Sequence, residues 1–280
     1  MILGTRSSSL AMAQTNIVVS LLDGEDIEIK KINTSGDKIT DKPLRSFGLG
    51  AFVRELDAMI VSGEIDFAVN SLKDMPSEDA EGTILAAVLP RGPIEDVLLS
   101  EFPLERLPQG AVVGTSSVRR AAILHNIRPD IEIKDLRGNV HTRLEKWKSG
   151  DYDAIILARA GLERLNLQEN YHILDPNVFV PAAGQGAIAV VCAENSPYLP
   201  ILSKLNDDNT RKDVDVERKI LSELGSGCSI PVGIHATNGG SKVTAVAVSD
   251  DKIVKVNQKI NDDSDIKSIA AELRRGICGE

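Results

Sequence analysis

Short apolar runs alternate with amphipathic stretches through the first two-thirds of the chain. The runs have the length of buried strands, and the stretches repeat apolar residues every three to four positions, as one face of a helix does. This alternation predicts the α/β class, with parallel sheets wrapped by helices, and we find no convincing internal repeat. The predicted strands are 2–4, 27–32, 65–69, 83–88, 97–99, 111–114, 131–136, 152–158 and 187–191, and the predicted helices are 7–22, 52–60, 117–127 and 139–148.

The pattern changes near the end of the chain. A helix over 213–224 precedes three predicted strands, over 230–236, 242–248 and 252–260, and a last helix over 266–275. Strands grouped together and followed by a helix are typical of an α+β arrangement. The chain therefore combines a large α/β region with a small α+β domain.

A polar turn joins the strand over 111–114 to the next predicted helix. It offers hydroxyls and backbone N–H groups at the positive end of a helix, followed by two guanidiniums, a combination that binds carboxylate or phosphate. An ordinary Ser/Thr N-cap followed by solvated arginines explains the same residues about equally well. The residues of this turn are Gly114, Thr115, Ser116, Ser117, Val118, Arg119 and Arg120.

Four other predicted strands end in similar polar turns. Ligands of open α/β sheets bind beyond the carboxyl ends of the strands, so five such turns together predict one site facing several anionic groups. Each turn by itself is also explained as a cap. The four are 4–8 with Arg6 and Ser8, 34–37 with Asp37, 70–74 with Lys73 and Asp74, and 136–139 with Arg137, Gly138 and, one turn later, Arg143.

Two single residues add candidate chemistry. Asp74 lies among basic residues, where a carboxylate stabilises a cationic intermediate or moves protons; the alternative is a surface salt bridge. Cys228 lies in a loop of Gly and Ser between a predicted helix and strand, which favours a reactive cysteine over the small packed cysteine that is the usual alternative.

Charge and composition narrow the class of ligand. The net charge is −9, from 32 basic and 41 acidic side chains, yet eight of the basic ones lie between Arg119 and Lys148. An acidic protein with a local basic cluster favours a small anionic ligand over nucleic acid; a solvated basic face is the alternative. The three cysteines and four histidines show no disulfide or metal-ligand spacing, so no metal is expected.

Location follows from the absence of targeting segments. No apolar run approaches the ~20 residues that a membrane span needs. The start of the chain lacks a basic leader followed by an apolar core. We therefore expect a cytoplasmic protein without a membrane partner.

Taken together, the motifs closely resemble the porphobilinogen deaminase family, over nearly the whole chain. This resemblance implies two periplasmic-binding-protein-like α/β domains around a cleft, residues 1–90 with 184–206 and residues 91–183, and a small α+β domain, 207–280. The motifs are Thr5-Arg6 with Ser8, 34–37, 52–56, 71–76, 114–120, 136–140 with 142–144, 160–162 with Arg164, 181–187, and Gly227-Cys228 with Pro231 and Gly233.

The resemblance also implies the chemistry. Family members deaminate porphobilinogen to an azafulvene cation, join four units head to tail on a dipyrromethane cofactor held by a thioether, and release hydroxymethylbilane. Cys228 matches the cofactor anchor, and Asp74 matches the catalytic aspartate, which stabilises positive charge. The positions implied to bind cofactor or substrate are Arg6, Ser8, Asp37, Lys73, Thr115, Ser116, Ser117, Arg119, Arg120, Arg137, Gly138, Arg143, Arg164, Gln185 and Gly186.

The chain departs from the family pattern at a few positions. Leu49 stands in a loop that commonly carries a lysine, and Lys42 or Arg45 is a candidate substitute. Asn70 stands where histidine is frequent, and Ala193 where arginine is frequent in bacterial members. These changes affect the expected carboxylate contacts and leave the aspartate and the cysteine in place.

A receptor for a small anion, without catalysis, is the rival hypothesis, because the same two-lobed fold serves such receptors. A catalytic aspartate and a glycine-flanked cysteine have no function in a receptor. We therefore favour the enzyme, acting as a monomer on porphobilinogen.

Overall fold

The computed structural model describes residues 1–32, 53–225, 231–249 and 252–278. The chain forms two compact units: unit 1 is Met1–Gly92 with Gly186–Arg211, and unit 2 is Pro93–Gln185 with Lys212–Glu280. The division into three domains stays a prediction, since unit 2 contains both a large sheet and a small one.

The helices and strands follow the predicted alternation. Their bounds differ from the sequence pattern by a few residues at most ends. The strands are β1 (Ile2–Arg6), β2 (Glu28–Ile32), β3 (Phe67–Ser71), β4 (Thr83–Val88), β5 (Asp96–Leu99), β6 (Val112–Gly114), β7 (Glu132–Lys134), β8 (Ala154–Ala158), β9 (His172–Ile173), β10 (Ile188–Ala193), β11 (Val232–Thr237), β12 (Lys242–Val248) and β13 (Ile253–Lys259). The helices are α1 (Ser9–Leu21), α2 (Arg54–Val61), α3 (Val118–Ile127), α4 (Val140–Lys148), α5 (Arg159–Arg164), α6 (Leu199–Leu202), α7 (Asp208–Leu224) and α8 (Asp263–Cys278), with short 3₁₀ turns at Leu72–Asp74, Leu104–Arg106 and Ser203–Leu205.

Unit 1 is built on a five-stranded sheet in the order β2-β1-β3-β10-β4. Strands β1, β2 and β3 are parallel, whereas β10 is antiparallel to both of its neighbours. Leu3, Phe67 and Val190 are fully buried in the core of this unit, together with Val18 of α1. The strand that returns late in the chain thus fills a central position.

The large sheet of unit 2 has the order β7-β6-β8-β5-β9. Strands β6, β7 and β8 are parallel, and β5 is antiparallel to β8 and β9. Each large sheet therefore has three parallel strands, a fourth antiparallel strand and an outer fifth strand. The predicted parallel strands are present in both sheets, and the antiparallel strands β5 and β10 are not distinguished by the sequence pattern, because an apolar run buried on both faces looks the same in either direction. The shared strand order is a repeat of architecture that the sequence does not display.

The small sheet of unit 2 is an antiparallel meander in the order β11-β12-β13. Its central strand alternates between two cores: Ala245 and Ala247 face helices α7 and α8, while Val246 and Val248 join the core that contains Leu98 and Phe179. The predicted α/β class with a small α+β part is confirmed. Among the described residues, no helix is long and apolar enough to cross a bilayer.

Candidate active site

The turn from β6 into α3 has its hydroxyls engaged in local structure. Ser117 is the N-cap of α3, where its Oγ accepts the N–H of Arg120 at 3.4 Å. Ser116 Oγ lies 2.6 Å from the carbonyl oxygen of Leu136 and donates to it, and Thr115 Oγ1 accepts the Ser117 N–H at 3.2 Å. The capping interpretation is therefore correct for Ser117, and Ser116 ties this turn to the end of the neighbouring strand.

The arginines of the same turn are buried rather than solvated. Arg119 and Arg120 are 5% and 6% exposed. Both contact Asp96, which is fully buried: Nη2 of Arg119 lies 2.8 Å from Oδ2, and Nη2 of Arg120 lies 2.7 Å from Oδ1. The solvated-arginine half of the alternative was wrong, because an internal carboxylate draws both guanidiniums inward.

Backbone and amide groups complete this cluster. Arg119 Nη1 donates to the carbonyl oxygen of Val180 at 2.8 Å, and Arg120 Nη1 donates to that of Ile156 at 3.1 Å. Gln185 Nε2 donates to Asp96 Oδ1 at 2.9 Å. We call Asp96, Arg119, Arg120 and Gln185 the Asp96 cluster. It joins three of the predicted site residues through one residue that sequence reasoning missed.

The charge state of Asp96 follows from these contacts. Burial raises the pKa of its carboxyl, but Arg119, Arg120 and the Gln185 amide outweigh burial and hold the pKa well below its usual range. Burial also lowers the pKa of Arg119, and the nearby Arg120 adds to this while Asp96 opposes it. The cluster contains two cations and one anion, so it retains a positive charge in a poorly solvated place.

The second polar turn of unit 2 presents other basic residues. Asn139 caps α4 through the N–H of Thr142, and Gly138 adopts a φ of +111°. Arg143 Nε donates to the Gly138 carbonyl at 2.7 Å, and Arg137 Nε donates to Asp135 at 2.8 Å. Both arginines make further contacts, so they lie at this strand end in a bonded network.

Much of the basic stretch from Arg119 to Lys148 is neutralised. Arg128, Lys134 and Lys148 form ion pairs with Asp130, Glu132 and Glu169 respectively. Arg164 is half-buried at the end of α5, and burial lowers its pKa. Residue counts therefore overstate the positive charge that this face presents.

In unit 1, the predicted residues of two strand ends meet in one pocket. This pocket lies beyond the carboxyl ends of β1 and β3, and its lining includes Arg6, Ser8 and Asp74. Ser8 caps α1 through the N–H of Ala11. Asp74 belongs to the 3₁₀ turn after β3, which also carries the partly buried Lys73. The sequence thus identified a set of side chains that the sheet brings together.

Two amides in this pocket were not among the predicted site residues. Gln14 of α1 bonds to Ser71, with Nε2 lying 2.7 Å from Oγ. Asn70 is 5% exposed and lies next to Ser71 at the carboxyl end of β3. The helical stripe of α1 hides Gln14 from sequence reasoning, because a single amide within an apolar helix carries no motif.

The remaining positions named from the sequence lie either in unit 1 or outside the described residues. Gly186 accepts the Gly92 N–H at 3.0 Å in unit 1, and Ala193 is the last residue of β10. Asp37, Lys42, Arg45, Leu49 and Cys228 lie outside the described residues. Among the described residues, no group of three or more His, Cys, Asp or Glu side chains is arranged to hold a metal.

Comparison with known proteins identifies the relatives of this chain. The family described as "Porphobilinogen deaminase, dipyromethane cofactor binding domain" matches residues 1–199. A probable porphobilinogen deaminase of Archaeoglobus fulgidus is 44% identical, covering 100% of this chain and 99% of its own length. The probable porphobilinogen deaminase of Thermoplasma volcanium is 42% identical, covering 98% and 95% respectively. The porphobilinogen deaminase of Brevibacillus brevis is 46% identical, covering 84% and 79%.

Among solved structures, a periplasmic substrate-binding protein of an ABC transporter from Coxiella burnetii is similar. Its TM-score is 0.44 at 13% identity, covering 78% of this chain and 94% of that one.

Proposed function

Because the chain belongs to the porphobilinogen deaminase family, we propose that it is a transferase of tetrapyrrole synthesis that deaminates porphobilinogen. It joins four units head to tail and releases hydroxymethylbilane. The observation that carries this proposal is the pocket of unit 1, in which Asp74 shares the strand ends with Arg6 and Ser8. Carboxylate-binding and cation-stabilising groups are both needed for a substrate that bears two carboxylates and loses ammonia.

Asp74 has the chemistry for the charged step. Departure of ammonia leaves positive charge on the pyrrole, and a carboxylate placed nearby stabilises charge that develops in the transition state. Arg6 and Ser8 hold a side-chain carboxylate of the same ring, since guanidiniums pair well with carboxylates. Lys73, on the same turn as Asp74, adds a second cation for the growing chain.

The Asp96 cluster supports a binding role for Arg119 and Arg120. Each guanidinium has five N–H donors, and the described contacts use only some of them. The net positive charge of the cluster favours one more carboxylate. Gln185 contributes indirectly, because its amide donates a hydrogen bond to Asp96. The other positions proposed to bind pyrrole carboxylates or the adjoining chain are Asp37, Thr115, Ser116, Ser117, Arg137, Gly138, Arg143, Arg164 and Gly186.

The donor set fits a dipyrromethane cofactor. A dipyrromethane carries several carboxylates, and the pocket of unit 1, taken by itself, offers a guanidinium, a helix N-terminus and a buried amide. Cys228 is proposed as its thioether anchor. When bound, this group supplies the primer to which substrate units are added. The monomeric state and the cytoplasmic location stay predictions.

Intact mass tests the anchor. The purified protein is expected to be heavier than its sequence by one dipyrromethane, and Cys228→Ser is expected to lose this adduct. Cys192→Ala is the matched control, because Cys192 is fully buried in β10 and its replacement leaves the adduct in place. An active protein of unmodified mass would contradict the cofactor proposal.

Turnover tests Asp74. Asp74→Asn removes the negative charge with little change of shape, so it is expected to keep the adduct and to lower kcat by at least ~100-fold. Asp66→Asn serves as the control, because Asp66 lies at the opposite end of β3, where it accepts the N–H of Ile2 at 2.6 Å. Wild-type kcat in Asp74→Asn would remove this residue from the mechanism.

A further inference from the structure

Asn70 lines the pocket of unit 1, and its amide carries a donor without a partner among the described residues. Its side chain is 5% exposed, and it lines the pocket together with Arg6 and Asp74. Its Nδ2 is buried and, among the described residues, has no hydrogen-bond acceptor. Buried amide N–H groups are nearly always paired, because leaving one unpaired destabilises the folded protein. Among the described residues, nothing accepts a hydrogen bond from this donor at the pocket.

The side-chain amide of Gln14, in contrast, has a hydrogen-bond partner. Gln14 lines the same pocket, but its side chain pairs with Ser71 on the α1 side of the sheet. Successive side chains of a strand point to opposite faces, so Asn70 faces away from Ser71 and from Gln14. The main-chain partner of Asn70 in the ladder is Ala189 of β10, which offers no side-chain acceptor. Among the described residues, the Gln14 amide therefore has a side-chain partner, whereas Nδ2 of Asn70 has none.

The surroundings define the ligand atom that fits. An amide NH₂ only donates, so the ligand must bring an acceptor. Of the described residues that line the pocket, Arg6 is a cation, and the N-terminus of α1 also lies there; both favour an anionic acceptor. Asp74, the carboxylate of the pocket, suits the donor and cationic part of the same ligand. A carboxylate oxygen on a ring that also carries an N–H satisfies all of these groups.

We propose that Asn70 is a ligand-binding residue, whose amide donates to a side-chain carboxylate of a pyrrole ring held in this pocket. This inference rests on the proposed function and extends it to a residue at which the chain departs from its family pattern. The carboxylate comes from the incoming porphobilinogen or from the resident dipyrromethane. The same hydrogen-bond chemistry serves both sources.

Two nearly isosteric substitutions test this role in the holoenzyme. Asn70→Leu removes the donor, and Asn70→Asp replaces it with an anion that repels a carboxylate. If the incoming substrate is the partner, KM rises about ten-fold in Asn70→Leu, equivalent to ~1.4 kcal/mol, and further in Asn70→Asp. In Asn70→Leu the rise in KM exceeds any fall in kcat. A residue that only fills space gives Asn70→Leu a wild-type KM and full adduct occupancy.

The matched control is Thr83→Val. Thr83 is a buried polar residue of the same sheet, 4% exposed, and its hydroxyl donates to the Ala80 carbonyl away from the pocket. It is expected to lower stability in urea without changing KM. A rise of KM equal to that of Asn70→Leu would show that KM reports general damage to the sheet, and would overturn the proposal.

Intact mass separates the two sources of the carboxylate. A raised KM with full adduct occupancy identifies the incoming substrate, whereas a fall in adduct occupancy in Asn70→Leu, with the adduct kept in Thr83→Val, identifies the resident cofactor. Unchanged KM together with unchanged occupancy would overturn the proposal. Failure of the proposed function is distinct, since the wild-type protein would then lack both the adduct and activity toward porphobilinogen.

Discussion

At the scale of single residues, two buried aspartates respond to burial in opposite ways. Asp96 is held ionised by two arginines, so its pKa lies well below the usual range. Asp57 of α2 is 7% exposed. Burial and the nearby Asp79 raise its pKa to about 6. The difference comes from the partners and not from the depth of burial.

Asp57 is therefore expected to weaken the fold near neutral pH. Its folded pKa is raised, so the folded state binds the proton more tightly, and stability falls as pH rises from about 4 to about 6. Asp57→Asn removes this penalty. We expect its free energy of unfolding in urea to exceed that of the wild type by about 1–2 kcal/mol at pH 7.5, and to equal it at pH 4.

Asp96→Asn provides the matched comparison, with the opposite sign. Its folded pKa is depressed, so the stabilisation is present above the unfolded pKa, about 4, and is lost as pH falls below it. The substitution leaves two buried cations without their anion and is expected to cost about 3–5 kcal/mol at pH 7.5. Equal effects of the two substitutions at this pH would contradict the assigned pKa directions.

The Asp96 cluster also shows what sequence reasoning cannot find at this scale. The turn with Arg119 and Arg120 is recognisable, because its residues are contiguous and carry a known chemistry. Asp96 lies 24 residues before Arg120, at the start of an apolar strand. Only the strand order, which places β5 beside β8, brings the carboxylate under the arginines.

At the scale of elements, the sequence predicts best where local chemistry sets the boundary. Helix α3 begins after its cap Ser117, and α4 begins after its cap Asn139, both as the sequence indicated. By contrast, β3 spans Phe67–Ser71 rather than 65–69. Ile65 is buried without belonging to the strand, so apolar character alone misplaces its start. The direction of individual strands could not be predicted from the sequence, because pairing is decided by tertiary contacts.

Helix α7 carries a buried carboxylate that bonds to strand β11 and to the segment before Gln185. Glu217 is fully buried, and its two oxygens accept the N–H groups of Gly184 and Ala236 at 2.7 and 2.8 Å. Beside this contact, a Cβ on Gly233 would lie 2.3 Å from the Val180 carbonyl oxygen. The close approach of β11 to the segment before Gln185 therefore depends on Glu217 and on Gly233.

Glu217→Gln is expected to lower stability, because one acceptor becomes an NH₂ that faces a backbone N–H donor. We expect a loss of about 2–3 kcal/mol in the free energy of unfolding, measured in urea at pH 7. Glu223→Gln is the control, because Glu223 is an exposed residue of the same helix; it is expected to change stability by less than ~0.5 kcal/mol. Similar losses in both variants would show that helix α7 responds to lost charge in general.

At the scale of the whole molecule, the small sheet of unit 2 is separate in the sequence pattern but shares a core with the large sheet. The sequence separates it clearly, since its pattern differs from that of the α/β region. The structure shows a shared core: Val246 and Val248 of β12 pack with Leu98 and Ile123 of the large sheet region. The Ile234 N–H also donates to the Pro181 carbonyl at 2.8 Å. A shared core predicts cooperative unfolding.

Trp147 makes this cooperativity measurable, because it is the one tryptophan of the chain and lies on α4, packed against the large sheet of unit 2. Val256 lies in the other core of the small sheet, against α7 and α8. Val256→Ala is expected to lower the free energy of unfolding by about 2 kcal/mol. If unit 2 unfolds as one body, Val256→Ala lowers the urea midpoint of Trp147 fluorescence, and far-UV circular dichroism of the whole chain shows no separate earlier transition.

Ile253→Ala is the control for this experiment, because Ile253 lies on the same strand but is 42% exposed. It should move neither midpoint appreciably. A Trp147 midpoint unchanged by Val256→Ala, with a separate early transition in circular dichroism, would mean that the small sheet unfolds alone, as the sequence-based three-domain prediction implies. A single transition that shifts as a whole would mean that Val246 and Val248 couple the small sheet to the large sheet of unit 2. A destabilising substitution in one of these sheets would then weaken the other as well.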